Sequence, residues 1–328
     1  MTLHISEDEV RAVLTMPMAI EAVEEISRKQ ATGEVVVHPR RRFELPGDGF
    51  FHYMAAADFS AGYVAMKQYT YVKGELKFLV PLYEMRTGDL VALIEADYMG
   101  QLRTGAASGV ATKYLARQNS RIAAMIGTGG QARTQLEAIA HVRKLESARV
   151  YGRNPTRREK FAKEMTERLG FPVESVSTSS EAVRGADILC TATTAASPVV
   201  RGADLSPGVH MSAIGANHAH KRELDDDAVE SADVIVVDSI EQSRQEAGDL
   251  ILAFRGDEIC WTGVKKLSDV VAGKVSGRTS DAEVTLFKSN GIASWDLAAA
   301  MRVYALAKEK GLGRELPLWA SGTEGRAR

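Results

Sequence analysis

The sequence has little of what marks several large protein classes. Only two cysteines occur in 328 residues, Cys190 and Cys260. Neither has ligand-type partners at metal-binding spacing, so a disulfide framework is not expected and no metal site is expected either. Both sit among apolar residues and read as core positions of a cytoplasmic protein. Charge of one sign is not in excess, with 41 Lys and Arg against 43 Asp and Glu and a net charge of −2. That balance gives no footing for nucleic acid or a membrane surface as a partner. No apolar run reaches the roughly 18 residues of a membrane span. The N-terminus lacks the basic and apolar regions of a signal peptide, so none is expected. Internal repeats and low-complexity tracts are missing too. What remains is an ordinary globular composition, 45% hydrophobic and 26% charged, on a chain long enough for two domains.

Against this background one stretch carries chemistry. An apolar run, Ile122 to Ile126, stops at Gly127, and Thr128, Gly129, Gly130, Gln131 and Ala132 follow. Gly127, Gly129 and Ala132 fit the G-x-G-x-x-A turn that feeds a dinucleotide pyrophosphate onto a helix start. The first glycine permits the tight turn. The second lets backbone approach phosphate, and the small third residue lets helix pack on strand. Unpaired N–H groups at the helix start then face the anion. Such a turn alone is a weak signal, and a plain strand-turn-helix is the competing reading. The context strengthens it: a helical pattern follows, and a second strand, Ala148 to Tyr151, arrives about 20 residues later.

The end of that second strand bears on which dinucleotide. An NAD site usually places an acid there to accept from the ribose 2′-OH. This chain instead reads Gly152, Arg153, Asn154, Pro155, Thr156, Arg157, Arg158, with no acid before Glu159. Arg153 and Arg157 suit a 2′-phosphate, and Asn154 and Thr156 can add hydrogen bonds. The expectation is NADP(H) in preference to NAD(H), with NAD(H) still possible. The same residues also make a good helix opening, to which Arg158 is assigned.

Before residue 121 the pattern predicts two helices, over 5–14 and from Thr15 to Gly33, then strands at 35–37, 41–45, 49–55, 63–71, 77–84 and 91–95. Their closeness in sequence implies a largely antiparallel sheet. A helix rich in small residues is expected from Leu102 to Ala116. After residue 121 strands and helices alternate, the mark of a parallel doubly wound sheet. Strands are expected at 122–126, 148–151, 173–176, 188–192, 210–214 and 234–237. Helices are expected around 131–143, 156–169, 179–185, 262–273 and 293–310, with 320–328 frayed. The fold class is therefore α/β: a Rossmann-type parallel sheet plus an α+β domain.

Four segments together resemble the ornithine cyclodeaminase/μ-crystallin family: Leu102 to Ala106 (Leu-Arg-Thr-Gly-Ala), Ile126 to Ala132, Ile214 to Asn217 (Ile-Gly-Ala-Asn), and Lys221 to Leu224 (Lys-Arg-Glu-Leu). The resemblance implies a substrate-binding and dimerisation domain over 1–118, joined by a C-terminal helix over 300–320. It implies a Rossmann NAD(P) domain over 119–299, with substrate in the cleft between them. Family members act at the α-carbon of an amino acid or its imine.

Such chemistry needs cations for an α-carboxylate. The resemblance assigns Arg103 and Lys67 to the site. A further arginine is expected among Arg40, Arg41 and Arg42, and strand alternation sets Arg41 on the face opposite both neighbours; Arg41 is the one assigned. The competing readings are a structural ion pair for Arg103 and a charged edge strand for Arg41. Asn217 stands where cyclodeaminases carry Asp. Asn positions but does not titrate, which disfavours cyclisation of ornithine and favours imine reduction. Met54, Tyr69, His218, His220 and Asp296 are secondary candidates, each equally readable as core or surface. Thr193 and Thr194 end a Rossmann strand where cofactor binds, and Ser289, Asn290 and Gly291 match a family turn beside the nicotinamide, with Lys288 in place of its Asp. The expected activity is NAD(P)H-dependent reduction of a small α-imino acid, or the related amino acid dehydrogenase reaction on an α-keto acid. Ornithine cyclodeaminase and a non-catalytic μ-crystallin-like ligand-binding protein are the alternatives. A homodimer is implied by the resemblance.

Overall fold

The structure, a computed structural model, describes residues 1–318. Two sheets organise it. The first contains β1 (Thr2–Ile5), β2 (Val35–Leu45), β3 (Gly49–Asp58), β4 (Tyr63–Val72), β5 (Glu75–Glu84) and β6 (Leu90–Glu95). From β2 to β6 each strand pairs antiparallel with the next, as the short turn-rich spacing requires. β1 then lies parallel to β6. Alternation along β3 puts Met54 and Ala56 inward, and they are buried beneath helices.

Helix α1 (Glu7–Val13) opens on a back-bond from the Ser6 amide to Glu9 Oε2 at 2.9 Å. Helix α2 (Met16–Thr32) has Pro in its first turn and ends at Gly33 in the left-handed region. Helix α3 (Asp97–Leu115) is buried along most of its length. Its small residues explain how closely it packs. A Cβ on Gly105 would lie 2.4 Å from the Thr134 carbonyl oxygen on the next helix, α4 (Gly130–Val142). α3 begins five residues before the sequence expectation, at Asp97, because Gly100 and Gln101 mask its first turn.

The second sheet holds β7 (Ile122–Ile126), β8 (Ser147–Tyr151), β9 (Val173–Ser175), β10 (Ile188–Thr191), β11 (His210–Ala213), β12 (Val234–Val237), β13 (Lys265–Lys266) and β14 (Thr285–Lys288). Its order is β9-β8-β7-β10-β11-β14-β12-β13, and every pair is parallel. Helix α4 crosses from β7 to β8, and α5 (Pro155–Leu169) from β8 to β9. The chain reverses its direction of winding between β7 and β10. That is the topological switch point, where ligands bind at strand C-termini.

The last helix, Ala293–Lys310, packs against α2, β3 and β4, burying Trp295 and Leu297. It spans the 293–310 expected from the pattern and stops at Gly311 in the left-handed region, ten residues before the end of the 300–320 helix that the resemblance implies, and β15 (Arg314–Leu316) follows antiparallel to β1. The segment expected to fray, 320–328, lies outside the described residues.

Several expectations need correction. β1, β14 and β15 are strands that periodicity did not predict. β14 lies in the middle of its sheet, yet its four residues, Thr-Leu-Phe-Lys, are too few to show a period. The strands expected at 35–37 and 41–45 are one strand, bent at a bulge between His38 and Arg41 that accommodates Pro39. Helices at Ile240–Glu246 and Gly248–Phe254 were not expected, and the one placed at 262–273 is two, Glu258–Thr262 and Leu267–Val271. Cys190 is buried, but Cys260 is exposed on the first of that pair. No helix among the described residues is long and apolar enough to cross a membrane.

Candidate active site

A cavity of about 690 Å³ separates the inner face of the first sheet from the C-terminal ends of β7, β10 and β11. On the nucleotide side, Gly127 has φ +119°, and a Cβ there would sit 2.4 Å from the Ala192 carbonyl oxygen. Only glycine suits that position. Gly129 is the N-cap of α4 with no side-chain cap, and nothing lies within 4 Å of where its Cβ would be. The first N–H groups of α4 are thus left without a side-chain acceptor beside the cavity, which Gly129, Gly130 and Gln131 line. That is the arrangement an incoming phosphate needs. Ala132 is fully buried, and Thr128 closes on Gly152, whose Cβ would meet Thr128 Cγ2 at 2.9 Å.

Thr193 and Thr194 line the same cavity. One buried carboxylate fixes the loops here: Glu223 accepts from the Thr193 and Gly215 amides and from Thr191 Oγ1, each at 2.7 Å. Burial raises its pKa above the ordinary value. Asp249 in turn accepts from the Glu223 and Leu224 amides and pairs with Lys288 at 3.0 Å. Lys288, which departs from the family turn, is therefore the buried counter-ion of Asp249. The turn itself is held from another side. Asp238 accepts from Ser289 Oγ and from the Asn290 and Gly291 amides, at 3.1, 2.7 and 2.6 Å.

At the end of β8, Arg153 and Arg157 are exposed, and neither side chain has a partner among the described residues. The Asn154 side chain is occupied, capping α5 through the Arg157 amide at 2.9 Å. Arg158 turns away to Ser175 Oγ and the Gly152 carbonyl.

On the substrate side, Lys67 from β4 and Arg103 from α3 converge on one carboxylate. Asp296 Oδ1 lies 3.0 Å from Lys67 Nζ and accepts from Arg103 Nε at 3.1 Å. All three are at least 95% buried. Among the described residues, Asp296 Oδ2 and Arg103 Nη1 have no hydrogen-bond partner, and Lys67 and Arg103 line the cavity. Burial first, and the Arg103 charge second, push the Lys67 pKa down to about 8 against the pull of Asp296.

Arg41 is corrected by the structure. It is exposed, and Arg40 is the buried arginine of the cleft. Alternation does set Arg41 apart from its neighbours, but the face turned to the cleft is the one carrying Arg40 and Arg42. Arg40 donates to Glu246 Oε2 and to the Asn290 carbonyl oxygen, both at 2.7 Å. Arg42 approaches His218 Nε2 at 3.3 Å. Asn217 lines the cavity, its Oδ1 2.9 Å from His218 Nδ1.

Sequence reasoning missed His52, whose Nδ1 lies 2.6 Å from the Tyr69 hydroxyl. Burial, and then the charges of Arg40 and Arg42, push its pKa down to about 3, so it is neutral. It also left Glu246 without a role and gave none to Glu223 or Asp238. The Lys-Arg-Glu-Leu segment was the only available signal for Glu223, since partners far apart in sequence supply the rest.

The comparisons agree with this geometry. The model of the ornithine cyclodeaminase/mu-crystallin family matches residues 2–311. A Delta(1)-pyrroline-2-carboxylate reductase from Bacillus cereus is 37% identical over 245 residues, 74% of this chain and 75% of its own length. The structure of Thermococcus litoralis Delta(1)-pyrroline-2-carboxylate reductase, in complex with NADH and L-proline, superposes with a TM-score of 0.92 at 37% identity, covering 96% of this chain and all of its own. An archaeal alanine dehydrogenase dimer with bound NAD follows, with a TM-score of 0.91 at 34% identity and coverage of 97% and 99%. A dinucleotide turn at the switch point of a parallel sheet, cations gathered opposite it, and similarity along nearly the whole length lead to one conclusion: this chain belongs to the ornithine cyclodeaminase/mu-crystallin family.

Proposed function

We propose that the protein is an NAD(P)H-dependent oxidoreductase that reduces the C=N bond of a small imine or ketimine 2-carboxylate to an L-amino acid. The observation that carries this reading is the buried Lys67–Asp296–Arg103 cluster facing the Gly127–Ala132 turn across one cavity. An α-carboxylate placed there meets the Arg103 guanidinium and the Lys67 ammonium, both of which line the cavity. Arg40, rather than Arg41, is the third cation beside it. The bound nicotinamide supplies the hydride; the protein's part is to fix the substrate carbon against it and to exclude water. Similar proteins support the assignment: two are pyrroline-2-carboxylate reductases, and one of these holds L-proline, the reduced form of such an imine.

Asn217 supplies hydrogen bonds but no titrating group, which weighs against cyclisation of ornithine with loss of ammonia. The amino acid dehydrogenase reaction, with an α-keto acid and ammonia, uses the same carboxylate clamp and is the neighbouring activity.

For the cofactor, Gly127, Thr128, Gly129, Gly130, Gln131 and Ala132 would hold the pyrophosphate, with Thr193, Thr194, Ser289, Asn290 and Gly291 around the nicotinamide. Arg153 and Arg157 favour NADP(H), being exposed, unpaired and beside a strand end without an acid. The similar structures hold NADH and NAD, so this chain would depart from them in its 2′-phosphate contacts. Asn154 is reduced in this reading to a helix cap. A homodimer is further proposed: the outer face of β2 and β3 carries Phe43, Phe51 and Tyr53 in mutual contact, with Phe43 58% exposed.

The test is oxidation of NADPH and of NADH with Δ1-pyrroline-2-carboxylate, with larger cyclic imines and with α-keto acids plus ammonia, beside ammonia release from ornithine with NAD+. Imine-dependent oxidation supports the reading. Ammonia release from ornithine without net cofactor turnover overturns it.

A further inference from the structure

The last helix contributes one buried side chain that binds two of the cavity's cations. Asp296 Oδ1 contacts Lys67 Nζ and Arg103 Nε together, from an element some 190 residues beyond α3. Without Asp296, two buried positive charges would face each other with no anion between them, an arrangement of high cost. With it, the cluster carries one net positive charge before substrate binds and none once a carboxylate has joined. Neighbouring glycines hold the geometry tight. A Cβ on Gly100 would lie 2.9 Å from Lys67 Nζ, and one on Gly291 would lie 2.7 Å from Arg103 Nη1.

We propose that Asp296 is a positioning residue for the reduction: it sets Lys67 and Arg103 for the substrate carboxylate and supplies the charge that keeps Lys67 an ammonium, which then protonates the imine nitrogen. The balance is simple. The imine carbon gains a hydride, with its electron pair, from reduced nicotinamide. The nitrogen gains one proton from Lys67, and the neutral amine product and the neutral Lys67 each recover a proton from solvent. Of the cleft groups other than Lys67, three are poor donors. Asn217 does not titrate, His52 is neutral with a pKa of about 3, and His218 Nδ1 is engaged by Asn217.

The groups that act on Lys67 are few. Arg103 from α3 and Arg40 from β2 disfavour its charge, and Asp296 favours it. Glu246 neutralises Arg40 from behind. On its own sheet Lys67 Nζ lies 6.0 Å from the Tyr69 ring and 5.3 Å from the Phe78 ring, and burial keeps Tyr69 protonated by raising its pKa. Of these, Asp296 is the anion in direct contact, so its removal moves the Lys67 titration in one direction, downward.

This inference rests on the imine-reductase reading, and its test is built to fail separately. The Lys67 ammonium is titrated by NMR in full-length protein with labelled lysine, using Lys67→Arg to identify the signal, and the pH dependence of kcat/KM is measured with an imine. Asp296→Asn is expected to lower the Lys67 pKa by about one to three units. The alkaline limb of kcat/KM should move with it, and KM should rise at pH values where Lys67 has lost its charge. Asp296→Glu retains the charge on a longer arm; it should leave the titration near its parent value while KM rises. An unmoved Lys67 signal in Asp296→Asn overturns the inference, as does a far lower one in Asp296→Glu, which also serves if the Asn variant does not fold. An NMR shift without imine turnover in the parent protein instead overturns the functional reading alone.

Discussion

Arg40 and Glu246 meet across the cleft at 2.7 Å, tying the antiparallel sheet to the helix that follows β12. The same guanidinium donates to the Asn290 carbonyl oxygen, so one side chain braces both walls of the cavity. Replacing Arg40 by Ala removes a charged hydrogen-bond donor from the cleft and leaves Glu246 without its cation. KM for the imino acid is expected to rise about 10- to 100-fold, the equivalent of one charge-assisted contact. Arg41→Ala, on the exposed face, should leave kinetics and melting temperature within error. A reversed pattern would return the assignment to Arg41.

The proposed preference for NADP(H) rests on Arg153 and Arg157. The double replacement by Ala should weaken NADPH about tenfold or more, because two cations beside a 2′-phosphate are lost, and should leave NADH little changed. Titration of each cofactor by fluorescence checks this. Equal weakening of both cofactors would place these arginines outside the 2′ site.

Gly291 has φ +80°, and a Cβ there would crowd Arg103 Nη1 at 2.7 Å. Gly291→Ala is therefore expected to act twice. The left-handed backbone costs roughly 1 kcal/mol, which lowers the melting temperature by a few degrees. Displacement of Arg103 raises KM for the substrate. A variant with normal KM would show that Arg103 does not hold the carboxylate.

Asn217→Asp introduces a carboxyl group into the cavity, where Asn217 Oδ1 now lies 2.9 Å from His218 Nδ1. The pH profile of imine reduction should gain an ionisation that the parent lacks, and ammonia release from ornithine, expected to be absent in the parent, becomes the sensitive assay. A profile unchanged by the substitution would place residue 217 away from the reacting atoms.

His210 is fully buried between Thr285 Oγ1, 2.9 Å from Nδ1, and Ser212 Oγ, 3.2 Å from Nε2. Burial, and then the Arg278 and Arg143 charges, push its pKa down to about 3. The folded state thus disfavours the proton that the unfolded chain binds at its ordinary value near 6.5. Stability from this group is full above that ordinary value and falls as pH drops from there toward 3. Denaturant melts across that window should show the loss, and His210→Gln should flatten it. An equally steep acid limb in the variant would assign the loss to other groups.

The sequence by itself determined the dinucleotide turn, because strand, glycines and helix start follow one another within a dozen residues and each has a local reason. It determined the alternation of strands and helices after residue 121, since buried parallel strands of five residues announce themselves as apolar runs. It also singled out Lys67 and Arg103, through the apolar strand around the first and the motif around the second, and both lie buried at the cavity. It could not determine which face of β2 meets the cleft: alternation separates Arg41 from Arg40 and Arg42 but is silent on which side is inside. It could not find β14, whose four residues are recognisable only by pairing with β11 and β12. The joining of Lys67, Arg103 and Asp296 likewise belongs to the tertiary structure alone. Helix and strand periods are set by neighbours in sequence. A carboxylate meets cations from two other elements only when the packing of the last helix on the first sheet brings them within 3.1 Å.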